Sequence, residues 1–422
     1  MKQNLLKAFL LSAIVSVFVL IGGSQAAEWY KGQFHCHSHW SDGDTLPELV
    51  VSWYKDNGYH FMSITDHSNL QLDPNKWKEV AGSLIAESRG KFGHDWVETK
   101  EENGKTLVRL KTYAELAAKL NEPGRFVLIP GHEQNAGVAG FTMHANAINI
   151  TETIPFPGNL PSLTEAARVW RKAAIENSTK NGLEGFWMLN HPEWPYYDIA
   201  PEVLIEASEI EFYEYNPVST PRKRQPQMPD SEKLWDIVNA FRLLAGAKPI
   251  YAVATDDAHT YRPFRVYANV IGHNWICVRS EKLDANSLIQ AMKKGDFYSS
   301  CGVVLKDVRF DPATKTLTVE VDPAANTQYT IRFVGTKKGF DTKKEPFTIP
   351  AEDANLPERK GFTYSDQIGA TFKTVEDTTA SYKMEPDDMY VRAIVTSNKA
   401  RTTLGLKRLP AFDTAWTQPV GW

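Results

Sequence analysis

The chain has 422 residues, 42% hydrophobic and 23% charged, with a formal net charge of -4. That composition excludes a disordered chain and a membrane bundle, and the length suits two domains or one domain with an appendage. A weak negative balance offers no basic footprint, so nucleic acid is not expected as a partner.

Residues 1–27 read as a secretory signal peptide: Lys2 and Lys7, an apolar run from Ala8 to Ile21, then Ser24-Gln25-Ala26-Ala27. The apolar run is short for a bilayer span. The mature protein is therefore expected in a periplasm or the medium, without stable membrane insertion after cleavage. The three cysteines, Cys36, Cys277 and Cys301, are an odd count that does not make a disulfide framework. Cys277 and Cys301 lie in apolar runs and Cys36 alternates with two histidines, so all three read as packing residues.

In chain order, the first element is a strand over 30–37 that leads into FHCHSHWSDG at 34–43. A period of two puts His35 and His37 on one face, where two imidazoles can share one metal ion. Asp42, on a Ser-Asp-Gly turn, can fold a carboxylate back over the same spot. A histidine-rich edge strand with a solvated turn is the plainer alternative for this stretch alone. Thr45-Leu46-Pro47-Glu48 has capping-box spacing and an early proline, predicting a helix to Asn57 that stops at Gly58. A strand over 59–65 then delivers Asp66 and His67. The polar stretch 70–121, with a helix opened by Thr112 to Glu115, reads as an insertion or lid.

Beyond it, a strand over 125–130 delivers Gly131-His132-Glu133, and after a Gly-containing loop a strand over 143–150 is led by His144. A helix from Ser162 to about Asn181 precedes a strand over 185–189 that delivers Asn190-His191-Pro192. A strand over 209–215, a helix over 231–245 and a strand over 249–255 lead to Asp256-Asp257-Ala258-His259. This strand, helix, strand order predicts an α/β architecture, a β/α barrel or near-barrel whose active face is the C-terminal ends of parallel strands. A strand over 274–278, a helix over 284–294 and an extended run over 297–305 complete a first domain over 28–305. Alternating segments in 306–422 predict a small C-terminal β-sandwich.

The set H-x-H with S-D-G, T-D-H, G-x-E, a later His, N-H-P and D-A-H, in that order, resembles the PHP (polymerase and histidinol phosphatase) metal-dependent hydrolases. ITDH, HANAINI, NHPEWP, ATDDAH and GDFYSS look like the extracytoplasmic branch with carbaryl-hydrolase-like members, and the C-terminal strands ending AWTQP are similar to theirs. The resemblance implies a distorted (β/α)7 barrel holding two or three divalent ions. It places metal ligands at His35, His37, Asp42, His67, Glu133, His144, His191, Asp257 and His259. Spacing to His259 favours Asp257 over its neighbour Asp256.

Chemistry can be read beside the resemblance. Imidazole with carboxylate suits zinc, manganese or iron, whereas calcium and magnesium want mostly oxygen. Two or three divalent ions against Asp42, Glu133 and Asp257 leave a net positive cluster. Such a cluster attracts an anionic substrate oxygen and lowers the pKa of a bound water toward about 7. Glu133 reads as the bridging carboxylate, and the resulting hydroxide would attack phosphorus in line. The catalytic set is then His37, Glu133, His191 and Asp257, with Arg262.

Arg262 is the best placed to grip a phosphate, ahead of Arg265 and of the loop cluster Arg222, Lys223 and Arg224. His39, His132 and Asp256 are spare titratable groups nearby, and Trp40, Trp187, Trp194, Tyr196 and Tyr197 either line an organic pocket or pack. The expected function is that of a secreted metal-dependent phosphoesterase acting on a small phosphomonoester or phosphodiester. Hydrolysis of carboxylic ester, amide or carbamate bonds is one alternative. A non-catalytic extracytoplasmic metal- or ligand-binding protein is the other.

Overall fold

The computed structural model describes residues 26–156, 158, 160–194, 199–216, 227–261, 270–351, 358–403 and 406–422, with the side chains of 402–410 outside that set. The leader over 1–25, Arg262, Arg265, Tyr196, Tyr197 and the 222–224 cluster lie outside the described residues. No helix among the described residues is long and apolar enough to cross a membrane.

The architecture is mixed α/β. Glu28–Gln33, Phe61–Met62 and Val127–Leu128 lie parallel and side by side, and Trp275–Ser280 and Phe297–Ser300 continue that sheet antiparallel. A second sheet holds Tyr251–Ala254, Phe212–Tyr215 and Phe186–Leu189 in parallel, then Phe141–Ile148 and Gly131–Val138. The parallel strands are buried on both faces, which is why Phe186–Leu189 and Tyr251–Ala254 read as unbroken apolar runs and Phe212–Tyr215 is interrupted only by Glu214. The two sheets are stitched at a parallel bridge between His67 and Glu133. They are stitched again where Ser299 Oγ accepts from Ala254 N at 2.9 Å and donates to the Ala252 carbonyl at 2.8 Å.

Phe34, Phe61, Phe186, Phe212 and Phe297 belong to one fully buried cluster with Ile148, Met188 and Val253. Each such ring contributes about 2–3 kcal/mol by leaving water. This apolar filling lies on the same strands whose ends carry the histidines and acids.

The sequence pattern predicted parallel strands throughout this region, but Phe141–Ile148 runs antiparallel to both its neighbours. The cause is local. Ala139 and Gly140 both take positive φ, 49° and 85°, the geometry of a tight two-residue hairpin turn, so the chain doubles back instead of crossing over. His144 therefore enters from a returning strand.

The helix Pro47–Asp56 also starts differently from its motif. Its N-cap is Leu46 and no side chain caps it, so Thr45 and Glu48 sit one residue out of capping register. Glu48 is buried instead and accepts from Ser88 Oγ at 2.6 Å. The equivalent pattern at Thr112 and Glu115 does form the reciprocal box, opening the helix Tyr113–Leu120.

The insertion carries its own antiparallel sheet, Trp77–Glu79, Lys105–Arg109 and Thr99–Glu102, with the helix Gly82–Phe92. Leu84, Ile85, Val97 and Val108 pack there against Trp40, Leu46 and Leu49. After Leu305, a three-stranded sheet, Leu305–Asp311, Thr316–Val321 and Thr379–Lys383, shares one apolar core with Tyr329–Lys337 and Asp388–Thr403. Leu406–Thr417 pairs with Phe297–Ser300, so one nine-stranded sheet runs through both halves of the chain.

Candidate metal centre

The Ser-Asp-Gly turn is built around Asp66. Its carboxylate accepts from Ser38 N at 2.7 Å, Ser38 Oγ at 2.8 Å and Ser41 Oγ at 2.7 Å. Gly43 N donates to the Ser38 carbonyl at 3.1 Å, and a Cβ on Gly43 would lie 2.5 Å from the His37 carbonyl oxygen. Only glycine lets the turn close this tightly. The result carries Asp42 back over His37, its Oδ1 3.8 Å from His37 Nδ1.

His35 and His37 project together from the end of the first strand, their Nε2 atoms 3.2 Å apart, while the Cys36 between them joins a separate apolar cluster. Asp257 Oδ1 lies 3.0 Å from His35 Nε2 and 3.1 Å from His37 Nε2. Glu133 reaches His35 Nε2 at 3.2 Å, His144 Nδ1 at 3.2 Å and His67 Nδ1 at 2.7 Å. His191 Nε2 is 3.7 Å from Glu133 and 3.9 Å from Asp257. His259 Nε2 is 3.3 Å from Asp42.

All nine residues expected as ligands are thus brought together. Among the described residues they form four overlapping groups: His37, Asp42, His67 and His259; His35, His37 and Asp257; His35, Glu133 and His191; His67, Glu133 and His144. Within each group the donor atoms lie within 4.8 Å of one another. His35, His37, Glu133, His191 and Asp257 are buried, whereas the Asp42 side chain is 59% exposed and those of His67 and His259 about a quarter. The centre opens on the Asp42 side.

Two of these positions hold strained backbone. His191 has φ 26° and Asp257 φ 47°, conformations that cost non-glycine residues about 1–3 kcal/mol and persist where the surroundings impose them. Both turns swing a side chain inward at the end of a parallel strand.

Charge is tightly balanced. Burial alone would raise the Glu133 carboxyl, yet the His144 and His35 imidazoles hold it well below the usual carboxylate range. Asp257 is likewise held down against burial by His35 and His259. Burial, reinforced by His259, pushes His37 down to about 3. His259 goes the other way, to about 9, because Asp257 and Asp42 outweigh its burial.

The donors fit a divalent cation by chemistry and by contact. Six imidazoles and three carboxylates are a nitrogen and oxygen set suited to zinc, manganese or iron. The buried atoms His67 Nδ1 and Glu133 Oε2 stand 2.7 Å apart, the separation of an ion pair. Two donors brought this close can equally turn their lone pairs to a common cation.

The remaining candidates are engaged elsewhere. Asp256 points away and accepts from Tyr54 OH and the backbone N–H groups of Gly272, His273 and Asn274 at 2.7–3.0 Å. His132 Nε2 accepts from Ile154 N at 3.1 Å, and His39 Nδ1 donates to the Gly43 carbonyl at 2.8 Å. Trp40 and Trp187 are buried and hydrogen-bonded to Lys111 O and Gln134 Oε1. Trp194 alone of the described aromatic set meets the centre, stacked on His191 at 4.5 Å.

Two partners escaped the sequence reading. Asn190 Nδ2 donates to Glu133 Oε1 at 2.7 Å and to Asn146 Oδ1 at 3.0 Å. Glu214, fully buried, lies 3.0 Å from His35 Nδ1. Its available signal was a single acid inside the aromatic run Phe212–Tyr215.

No family model matches the sequence, and no curated protein matches it. Among solved structures, the chain is similar to a two-domain protein from Bacteroides vulgatus ATCC 8482 containing a predicted PHP-like metal-dependent phosphoesterase. The two are 14% identical with a TM-score of 0.37, over 93% of this chain and 96% of that one. It is also similar to an amidohydrolase from Chromobacterium violaceum with bound sulfate, at 12% identity, TM-score 0.28, over 54% of this chain and 87% of that one. A proposed metal-dependent phosphoesterase from Bifidobacterium adolescentis ATCC 15703 matches at 13% identity, TM-score 0.28, over 54% and 87%.

Proposed function

We propose that this protein is a PHP-type metal-dependent hydrolase, secreted to a periplasm or the medium, that cleaves a small phosphomonoester or phosphodiester. The observation that carries the reading is the convergence of nine ligand-type side chains into four donor groups that share His35, His37, His67 and Glu133. Sharing of this kind suits adjacent cations better than a single one.

Charge favours three ions. Glu214 touches His35 and adds a fourth carboxylate to Asp42, Glu133 and Asp257. Two divalent ions would only neutralise four carboxylates, so an excess that attracts an anionic substrate needs the third. Bound divalent ions would supply Lewis acidity and a water made nucleophilic near neutral pH.

The chain's own residues do the rest. Glu133 contacts His35, His67 and His144 and is oriented by Asn190, which makes it the residue able to serve more than one ion. Asp42, His67 and His259 form the open side, where a substrate oxygen enters. Trp194 covers one face of His191 and walls the centre on that side. Arg262 is kept as the proposed phosphate grip.

A panel of nitrophenyl phosphate, bis-nitrophenyl phosphate and naphthyl carbamate on metal-loaded protein tests this reading. Phosphate ester turnover is expected to dominate. Preferential carbamate cleavage would place the chemistry on carbon, and a fully loaded protein inert on all three would overturn the enzymatic reading.

A further inference from the structure

We infer that Glu214 is a positioning residue which fixes the donor geometry of His35 and His191 together. The inference rests on the metal-centre reading given above. It concerns a side chain outside the nine expected ligands.

Glu214 is fully buried on the strand Phe212–Tyr215, and each of its oxygens is engaged. Oε1 faces His35 Nδ1 at 3.0 Å and accepts from the Thr255 hydroxyl. Oε2 accepts from the His191 backbone N–H at 2.8 Å. One carboxylate therefore ties together three segments, those following the strands Glu28–Gln33, Phe186–Leu189 and Tyr251–Ala254.

Each bond has a separate consequence. A carboxylate on Nδ1 keeps a proton there, so the lone pair of neutral His35 lies on Nε2. Nε2 is the atom 3.0 Å from Asp257, 3.2 Å from Glu133 and 3.2 Å from His37 Nε2, at the junction of two donor groups. The second bond restrains His191 at φ 26°, a conformation that needs an external hold. The His191 imidazole leaves that turn toward Glu133 and Asp257.

Glutamine has nearly the shape of glutamate but cannot play this part. Three donors converge on Glu214, and an amide offers only one accepting end. Glu214→Gln forces either His35 to turn its proton onto Nε2, which blocks the ligating lone pair, or His191 N–H to lose its acceptor.

Two readouts on Glu214→Gln test the assignment: zinc affinity by competition with a chromogenic chelator, and hydrogen exchange of the His191 amide in metal-free protein. Zinc affinity is expected to fall roughly 10- to 100-fold, and the His191 amide to exchange faster while the unfolding midpoint holds. Wild-type affinity with an equally protected His191 amide would overturn the assignment. Should Glu214→Gln not fold, Thr255→Val, which removes one of the three donors, is expected to weaken zinc binding severalfold, and wild-type binding there would overturn it instead. A wild-type protein that takes up no divalent ion would overturn the metal-centre reading, and His191 exchange, which needs no metal, would then decide the role of Glu214.

Discussion

Glu133 Oε2 and His67 Nδ1 stand 2.7 Å apart in the interior. A proton or a cation between them answers both lone pairs at once. Glu133→Gln keeps the shape and removes the charge. It is expected to lower bound metal and to reduce turnover by more than about 100-fold, beyond what loss of a merely supporting residue does. Metal content and kcat measured on the same sample check this, and a full complement with unchanged kcat would remove Glu133 from the bridging role.

Cys36 and His37 are neighbours with opposite destinies. His37 stands among six candidate ligands, whereas Cys36 Sγ lies 3.4 Å from the Ser63 carbonyl in an apolar cluster. His37→Ala is expected to abolish turnover. Cys36→Ser should keep both turnover and metal and lose only about 1 kcal/mol of stability. Parallel assays and urea melts of the two variants separate these outcomes.

Acid should loosen the insertion before the core. The Arg109 guanidinium, joined by Lys111, holds Glu98 down to about 2, and Arg109 with the Thr112 backbone holds Glu115 down to about 2. Both folded values lie below the ordinary 4.5, so the stabilisation is present above pH 4.5 and disappears as pH falls toward 2. These carboxylates are partly exposed, and solvent screening keeps the total near about 1 kcal/mol. Hydrogen exchange over Lys105–Arg109 should accelerate across that window, and Arg109→Met should flatten the dependence.

A buried bidentate pair links the helix Ser231–Leu244 to the C-terminal strands. Arg392 Nη2 meets Asp236 Oδ2 at 2.7 Å, Arg392 Nε meets Oδ1 at 3.0 Å, and Tyr390 OH donates to the same oxygen at 2.7 Å. Arg392→Met leaves a buried carboxylate uncompensated and should cost about 3–5 kcal/mol. The double variant Asp236→Leu with Arg392→Met should recover much of that loss. Chemical denaturation of the three proteins tests it, and equal losses in single and double variants would contradict it.

How much of this was legible in the sequence follows from what each position requires. His35 and His37 alternate on one strand, and His67, Glu133, His191 and Asp257 each lie just past an apolar run, so period and order put metal-type side chains at strand ends, while the family resemblance separates these from their neighbours Asp66, His132 and Asp256. Glu214 has the reverse character: inside Phe-Tyr-Glu-Tyr it reads as one residue of an alternating strand, and only the partners across the sheet reveal it as a support. The Ala139-Gly140 turn is hidden because alanine seldom takes positive φ, so the sequence there suggests a loop where the structure has the hairpin that delivers His144. Thr45 and Thr112 carry the same four-residue cue, yet one box forms and the other slips by a residue, because burial of Glu48 against Ser88 outcompetes its capping role.

The most direct measurement is anomalous X-ray diffraction at the metal absorption edges on crystals of natively purified protein. Three anomalous peaks are expected among the six imidazoles and three carboxylates, with Glu133 in contact with more than one of them. Metal retained in the crystals but scattered outside this cluster, or a cluster free of anomalous density in active protein, would contradict the account.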